Sequence, residues 1–307
     1  MVEKLEILKN KEKFKQIKLA KGLDLKQYSL EPRENIHRLG ISSKPYGSKW
    51  FVLPKGRGIF KTYDGDKDFD VIRKQRIINE RLCYILAKQV GIPCAEYEPA
   101  NIDGVNGLIT YDITNEDEII MTLKEWEIKN CFESIYEENF VFDLLKMVVF
   151  DTLTMQSDRH NDNVHVIYNK KTKSVRVSPL IDNEMAFCAK ILALSYDGRT
   201  DETTFFNAYS EKAFYFIIHN ENSPGINKFE KNVTKIAKIA EKDKKFKNLV
   251  ESYINNMDIK KAIKQVEEDG YIIHSFYKEY ICKVHDYAKQ MLIEKLNTVK
   301  KEDIHKL

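Results

Sequence analysis

The alternation of apolar and polar residues along the first third of the chain predicts a small β-rich unit. Two β-rich runs, "KWFVL" at 49–53 and "GIFKTY" at 58–63, are separated by "PKGRG", which is typical of a hairpin turn. Apolar residues then recur at helical spacing across 70–91, and the helix is expected to end at Gly91, since a proline follows two residues later. Residues 94–113 supply two more strands around Asp-Gly and Asn-Gly turns. Strands, one helix and strands again therefore form one compact unit.

The pattern changes after residue 114 and becomes mostly helical. Residues 138–156 are apolar nearly all round, which predicts a buried central helix. The runs "VHVIYN" and "SVRVS", joined by "KKTK" within 164–178, predict a hairpin, and 205–307 carries apolar stripes at helical spacing. One such stripe, expected to be core rather than a ligand site, comprises Phe276, Tyr280, Val284, Tyr287 and Met291. The expected fold class is α+β, with a small β-rich N-lobe and a larger helical C-lobe.

Composition and charge describe a globular chain with no clear signal for nucleic acid or membrane. Of the 307 residues, 43% are hydrophobic and 32% charged, and 50 Lys and Arg against 47 Asp and Glu give a net charge of +3. The most apolar segment, 140–155, carries three charges and is too short to span a bilayer, and the N-terminus lacks the apolar core of a signal peptide. Five widely spaced Cys without a C-x-x-C pair indicate reduced thiols. We therefore expect a cytoplasmic protein without structural zinc.

Polar residues cluster at both ends of the predicted hairpin. Asp158 and Asn163 stand five positions apart in "DRHNDN", and Asp182 follows the hairpin in "PLIDN". Phosphoryl transfer needs this set: one carboxylate orients an acceptor hydroxyl and takes its proton, while a carboxamide and a second carboxylate hold Mg²⁺ on the nucleotide phosphates. The spacing predicts Asp158 as the base, and Asn163 and Asp182 as metal ligands of an ATP–Mg²⁺ site. His160 is interpreted as a brace of this catalytic loop, and Asp162 is the rival carboxylate.

A phosphate-binding cation is expected on the second strand of the N-lobe. Lys61 lies in "GIFKTY", where an inward-facing Lys would meet the phosphates. Glu80 is its expected partner, because it shares a helical stripe with apolar residues and a carboxylate in that setting requires a cation. Glu96 and Glu98 are the alternatives if the strand register differs.

The combination of "DRHNDN" with "PLIDN" resembles the HipA-like serine/threonine kinases, whose loop reads D-x-H-x-x-N and whose metal-binding Asp follows a hairpin. The resemblance extends over residues 45–190 and includes "NERLCYILAKQVGIPCAEY". It implies a bilobed protein-kinase-like fold, ATP and Mg²⁺, and a protein serine or threonine as acceptor. The corresponding domains are an N-terminal extension at 1–44, the N-lobe at 45–113 and the C-lobe at 114–307. Phosphoinositide kinases share the D-R-H-x-x-N loop, so the loop alone does not identify the acceptor.

Further nucleotide contacts are expected in the N-lobe. The resemblance implies that the backbone of Ile109 and Tyr111, in "LITYDI", binds the adenine edge. Gly47 and Ser48 occupy a turn whose backbone N–H groups could touch phosphate oxygens, although a simple turn explains both residues equally well. The polar run at 195–204 follows the metal-binding Asp as an activation segment would, and an ordinary exposed loop accounts for it equally well.

The sequence is compatible with three functions. A kinase acting on protein is the first. A lipid or small-molecule kinase is the second, and the small number of cations in 188–206, namely Lys190 and Arg199, argues against a lipid surface there. An inactive nucleotide-binding scaffold is the third. The groups whose loss would have favoured a scaffold are all present: Lys61, Asp158, Asn163 and Asp182. A toxin-like role is compatible with the resemblance, but no cognate partner is evident.

Overall fold

The N-terminal part of the chain forms a curled five-stranded sheet. The computed structural model describes residues 22–27, 49–62, 70–102, 105–129, 138–159, 163–189 and 224–304. Its first strands are β1 (Leu23–Asp24), β2 (Lys49–Leu53), β3 (Gly56–Thr62), β4 (Tyr97–Ile102) and β5 (Val105–Tyr111), in the spatial order β1-β4-β5-β3-β2. Neighbouring strands are antiparallel except for β1 and β4. Helix α1 (Asp70–Val90) connects β3 to β4.

The β2–β3 hairpin and helix α1 lie where the hydrophobic pattern predicts them. Phe51 and Leu53 of β2 are buried, and Val52 between them is exposed, as expected for a strand with one face on a core. Gly56 closes the turn with a φ of +120°, a conformation that only glycine adopts readily. The period of two and the glycine therefore identify the hairpin from sequence.

The two faces of this sheet have different surroundings. One face covers a small core made of Leu25, Phe51, Leu53, Phe60, Ala100 and Ile109. Lys61 is paired in register with Leu108, and Leu108 belongs with Tyr97 to the main core that includes α1. Because successive side chains of a strand point to opposite faces, Lys61 faces α1 while its neighbour Phe60 faces the small core.

Part of the predicted N-terminal extension belongs to the N-lobe. Strand β1 pairs in parallel with Ala100 and Asn101 at the edge of the sheet. Leu25, which follows β1 in a short 3-10 turn, is fully buried in the small core. The domain boundary expected at residue 45 stays a prediction, and β1, on its N-terminal side, is an edge strand of this sheet. Two residues are too few to show a periodicity, so the sequence pattern does not reveal it.

The C-terminal part combines a three-stranded sheet with helices. Its described elements are β6 (Glu118–Thr122), α2 (Leu123–Lys129), α3 (Glu138–Leu153), β7 (His165–Asn169), β8 (Val175–Val177), α4 (Pro224–Lys242), α5 (Lys244–Asn256), α6 (Ile259–Glu268) and α7 (Ser275–Ile304). Strands β6, β7 and β8 are antiparallel in that order. The β7–β8 hairpin is confirmed, and so is the α+β fold class. Strand β6 corrects the expectation of helix after residue 114: its "EIIMT" has three consecutive apolar residues instead of an alternation.

Helix α3 packs against α4, α5 and α7, and its C-terminal half is buried as expected for a central helix. In the predicted stripe of α7, Tyr280 and Val284 are fully buried, and Tyr287 and Met291 pack against the same core. The side chain of Phe276 lies outside the described residues. Across the described ranges, no helix combines the length and the apolar character that crossing a bilayer requires.

Candidate functional site

The loop after α3 is fastened to the segment that follows β8. Helix α3 ends at residue 153, three residues earlier than the pattern indicates, and the chain then turns. The Phe187 N–H donates to the Thr154 carbonyl at 2.6 Å, and Ser157 Oγ donates to the Met185 carbonyl at 3.0 Å. These bonds bring the two polar clusters that bracket the β7–β8 hairpin to the same place.

Asp158 and Asn163 contact each other within this loop. Asn163 Nδ2 donates to the Asp158 carbonyl at 2.8 Å and to Asp158 Oδ2 at 3.3 Å. The Asp158 N–H donates to Gln156 Oε1 at 3.1 Å. Because the NH₂ group of Asn163 is directed to Asp158, the Asn163 oxygen is the atom that can ligate a cation. The half-buried Asp158 carboxylate is thus held by its own loop.

Lys61 and Glu80 form an ion pair between β3 and α1. Lys61 Nζ lies 2.5 Å from Glu80 Oε1, and the Glu80 side chain has no exposed surface, whereas 27% of the Lys61 side chain is exposed. Burial lowers the pKa of the Lys61 ammonium, but the carboxylates of Glu80 and Asp182 more than offset it, so the pKa is raised. Lys61 is therefore a positively charged, partly exposed side chain that contacts the buried carboxylate of Glu80.

The two alternative partners of Lys61 lie elsewhere. Glu96 and Glu98 bind Lys55, at 3.3 and 2.5 Å. Both also line a cleft of about 670 Å³ between β4, α1 and α6, to which Lys61 does not contribute. The strand register explains why Glu98 is not the partner of Lys61. Glu98 is paired with Ile109 and points to the face of the sheet opposite Lys61.

Glu80 also holds the segment after β8. Glu80 Oε2 accepts a hydrogen bond from the Asn183 N–H at 2.9 Å. The preceding residue, Asp182, has a φ of +57°, in the left-handed region, and its N–H donates to the Tyr97 hydroxyl at 3.3 Å. Helix α1 and strand β4 therefore both fix the backbone at Asp182.

Three carboxylates converge at this segment. Glu80, Asp182 and Glu184 each place one oxygen within 4.8 Å of the others. Glu184, which pairs with Arg76 of α1, was not among the residues predicted for the site. Together with the amide oxygen of Asn163, these are the hard oxygen donors that Mg²⁺ prefers. The donor chemistry fits the divalent cation expected at Asn163 and Asp182.

Arg159 is a site residue that sequence reasoning missed. Its side chain is buried and binds Asp151 of α3 through two nitrogens, at 3.0 and 3.3 Å. Its other bonds reach the carbonyls of Asn163 and Ile181 and the side chain of Asn183. Within the polar run "SDRHNDN", the sequence does not distinguish Arg159 from an ordinary exposed cation. The sequence signal that could have indicated a buried Arg159 is Asp151, because a carboxylate on the apolar face of a helix requires a buried cation.

Asn79 is a second residue that the sequence did not reveal. It is fully buried on α1, next to Glu80. Its Nδ2 donates to the carbonyls of Glu184 and Ala186, both at 3.1 Å, and its Oδ1 accepts from the Tyr277 hydroxyl of α7 at 2.7 Å. One side chain therefore connects the last described helix to the segment after Asp182.

Helix α1 is tied to the C-terminal helices at two further points. Arg81 Nε binds Asp269 Oδ2 at 2.8 Å. Gln89 exchanges two hydrogen bonds with the backbone of Asp258, at 2.7 and 3.1 Å. Together with the bond from Asn79, these contacts hold the helix that presents Glu80 over its middle and its C-terminal end.

The structure does not bring Ile109 to this site. Ile109 lies inside β5, paired with Phe60 on one side and Glu98 on the other, so its backbone groups are used within the sheet. Its side chain belongs to the small core, on the face away from Lys61. The adenine contact expected at Ile109 stays a prediction. Tyr111 ends β5, where its hydroxyl donates to Glu98 Oε2 at 2.6 Å, and its backbone contact stays a prediction.

Several residues predicted for the site lie outside the described part of the chain. They are Gly47, Ser48, His160 and the rival carboxylate Asp162, together with the run 195–204. Their roles stay predictions. The described candidates are joined in one network, in which the Lys61–Glu80 pair contacts the Asp182–Asn183 segment and Arg159 links that segment to Asn163.

The fold is that of a known kinase. The crystal structure of the proinflammatory kinase CtkA from Helicobacter pylori is similar with a TM-score of 0.58 at 13% identity, over 92% of this chain and 98% of that one. At this identity the likeness establishes the fold, and it confirms the kinase-like fold that the sequence resemblance implied.

Two other kinase-related structures align less well. HipA of Shewanella oneidensis MR-1, solved with HipB and operator DNA, gives a TM-score of 0.34 at 14% identity over 88% of this chain and 67% of that one. The golgi casein kinase gives 0.37 at 10% identity over 92% and 72%. We base no argument on either. No protein-family model and no curated protein sequence matches the chain.

Proposed function

We propose that the chain is a kinase that uses ATP and Mg²⁺ to phosphorylate serine or threonine side chains of protein. The observation that carries the proposal is a single hydrogen-bonded network that joins the Lys61–Glu80 pair, the Asp158–Asn163 pair and the segment of Asp182. The CtkA-like fold supports the reaction class. The resemblance of "DRHNDN" to the loop of HipA-like serine/threonine kinases supports the acceptor class.

Asp158 is the proposed base. Its carboxylate would orient the acceptor hydroxyl and accept its proton as the hydroxyl oxygen bonds to the γ-phosphorus, while the bond from that phosphorus to the β–γ bridging oxygen breaks and ADP leaves. The transition state of phosphoryl transfer is loose, so the protein contributes chiefly by positioning the reacting groups. The bonds from Asn163 and Gln156 that fix the conformation of the loop provide this positioning.

The phosphates would be held by a cation and by Lys61. Asn163 and Asp182 are the residues proposed to hold Mg²⁺, which would supply charge neutralisation for the phosphates. The Lys61 ammonium would contact the phosphates from the side of the sheet. Glu80 positions both Lys61 and the segment of Asp182, since one of its oxygens pairs with Lys61 and the other fixes the backbone beside Asp182.

The proposal predicts nucleotide binding that depends on a divalent cation. A non-hydrolysable ATP analogue with Mg²⁺ should raise the melting temperature, and EDTA should remove most of the shift, because the Asn163 and Asp182 oxygens reach the phosphates through the cation. A ligand at 100 times its Kd stabilises the folded state by about 2.7 kcal/mol. Thermal denaturation with the analogue, Mg²⁺, both and neither is the measurement. An equal shift in EDTA would contradict the metal assignment.

The acceptor requires a separate experiment. Incubation with labelled ATP and a lysate of the native host, followed by identification of the labelled species, distinguishes the acceptor classes. Labelled serine or threonine in protein supports the proposal. Label confined to lipids or small molecules would replace the protein acceptor while leaving the kinase reaction in place.

Lys61→Met is expected to reduce both nucleotide binding and stability. The substitution removes the cation proposed for the phosphates and leaves the buried Glu80 without its ion pair. Breaking a buried pair costs about 3–5 kcal/mol of unfolding free energy, so weaker binding in this variant alone is ambiguous. The double variant Lys61→Met/Glu80→Gln removes the unpaired charge. Its melting temperature should recover toward the wild-type value while its affinity for the ATP analogue should stay low.

Lys55→Met is the matched control for this test. Lys55 lies in the turn between β2 and β3 and also pairs with carboxylates, but it is exposed and directed to Glu96 and Glu98. Calorimetric titration with the Mg²⁺–analogue complex should give the wild-type affinity for this control. Wild-type affinity in the double variant instead would remove Lys61 from the phosphate site.

A further inference from the structure

Arg159 lies between the two segments that carry the proposed metal ligands, and every donor of its guanidinium is used. Nε and Nη2 bind the two carboxylate oxygens of Asp151 at 3.0 and 3.3 Å. Nη1 donates to the carbonyls of Asn163 and Ile181 at 3.2 and 3.0 Å. Nη2 also donates to Asn183 Oδ1 at 2.9 Å. Since a guanidinium has five N–H donors, these bonds saturate it.

Neutralising Asp151 accounts for only part of this arrangement. Arg159 and Asp151 are 8% and 7% exposed, and buried charges require a partner and complete hydrogen bonding. The pair itself uses two of the five donors. The other three are directed to the loop of Asn163 and to the segment around Asp182, which links Arg159 to the site.

The contacts of Arg159 enclose Asp182 on both sides. Arg159 holds the carbonyl of Ile181 just before Asp182 and the side chain of Asn183 just after it. The φ of +57° at Asp182 lies in the left-handed region, which residues other than glycine adopt less readily and keep where the surroundings fix it. Arg159 also holds the Asn163 carbonyl, so one side chain fixes the backbone at both proposed ligands.

We propose that Arg159 is a positioning residue that sets the separation of Asn163 and Asp182 and thereby the affinity of the site for its divalent cation. The inference rests on the proposed function. Loss of a residue that orients metal ligands lowers metal affinity about 10–100-fold. Loss of a residue that only stabilises the fold lowers the melting temperature and leaves the metal dependence of nucleotide binding unchanged.

Arg159→Lys tests the proposal. Lysine keeps a positive charge opposite Asp151, but its donors sit on one nitrogen and cannot reach all the partners of a planar guanidinium. With a non-hydrolysable ATP analogue, the Mn²⁺ concentration that gives half the thermal shift should rise about 10–100-fold, and excess Mn²⁺ should restore the full shift. Electron paramagnetic resonance titration of Mn²⁺ measures the same affinity without turnover.

Asn183→Ala is the second variant, and it tests the proposal even if the Arg159→Lys protein does not fold. It removes a single acceptor of Arg159 and leaves the pair with Asp151 in place. The Mn²⁺ midpoint should rise in the same direction, by a smaller factor. Arg176→Lys is the matched control, because Arg176 pairs with Glu118 on β6 at 3.1 Å and neither residue contacts the cluster; its midpoint should equal that of the wild type.

Three results are distinguishable. Raised midpoints in the variants with an unchanged control support the inference. Wild-type midpoints in a folded Arg159→Lys protein and in Asn183→Ala would overturn it and leave the proposed function standing, with Arg159 reduced to a stabilising residue. A wild-type protein that binds no Mn²⁺–analogue complex would overturn both the inference and the proposed function.

Discussion

Asp158→Asn is expected to slow phosphotransfer by about 10²–10⁴-fold, the usual contribution of a positioned acid–base group, while binding of the Mg²⁺–ATP analogue stays close to wild type. The new amide keeps an oxygen that can accept the Asn163 Nδ2 bond now made to Asp158 Oδ2 at 3.3 Å. The bonds of the Asp158 backbone, to Gln156 and Asn163, do not involve its side chain. The substitution therefore removes the proton acceptor and preserves the loop.

Phosphorylation rates measured beside the thermal shift separate these two effects. Asp143→Asn is the control, because Asp143 lies on α3 and pairs with Lys146 at 2.7 Å, away from the loop. Asp162→Asn is the informative comparison, since Asp162 is the rival carboxylate of the same loop. Full activity in Asp158→Asn together with an inactive Asp162→Asn would move the base to Asp162.

Asp182→Asn is expected to abolish both turnover and the metal-dependent part of the thermal shift. The reason is that Asp182 is proposed to bind the cation already in the complex with nucleotide, before phosphoryl transfer begins. Asparagine adopts the left-handed conformation as readily as aspartate, so the φ of +57° is retained. The cluster with Glu80 and Glu184 loses one charged oxygen ligand. A hard divalent cation binds such a weakened set of donors less tightly.

The measurement is the thermal shift of the analogue at several Mg²⁺ concentrations, with Asp143→Asn again as the control. Glu184→Gln, assayed in parallel, should have a smaller effect, because Glu184 is already paired with Arg76. A wild-type metal-dependent shift in Asp182→Asn would remove this residue from the site.

Local sequence patterns were sufficient for both hairpins, for helix α1 and for the contact that spans β3 and α1, but not for strands β1 and β6. The position of Glu80 on an apolar helical stripe indicated a buried carboxylate in need of a cation, and the structure places Lys61 against it. The β2–β3 and β7–β8 hairpins and helix α1 likewise follow from periodicity and turn residues. These features depend on residues within a few positions of each other or on burial alone.

What the sequence did not reveal depends on contacts between distant segments. The position of Ile109 between two strands is one such feature, because a strand's neighbours cannot be read from its own residues. The partners of Arg159 come from α3, the loop and the segment after β8, so its burial appears only when these elements pack. Asn79 is hidden in the same way, since its partner Tyr277 is 198 residues away.

Among the described contacts that hold the segment around Asp182, the one made by the hydroxyl of Tyr277 is the last to be synthesised. This hydroxyl holds Asn79, which in turn holds the carbonyls of Glu184 and Ala186. After Asp182 the ribosome adds 95 more residues up to and including Tyr277, which takes roughly 5–20 s at about 5–20 residues per second. Every proposed catalytic side chain therefore exists in the nascent chain well before the segment around Asp182 has its full set of bonds. The segment around Asp182 can complete these bonds only once the first residues of α7 have been synthesised.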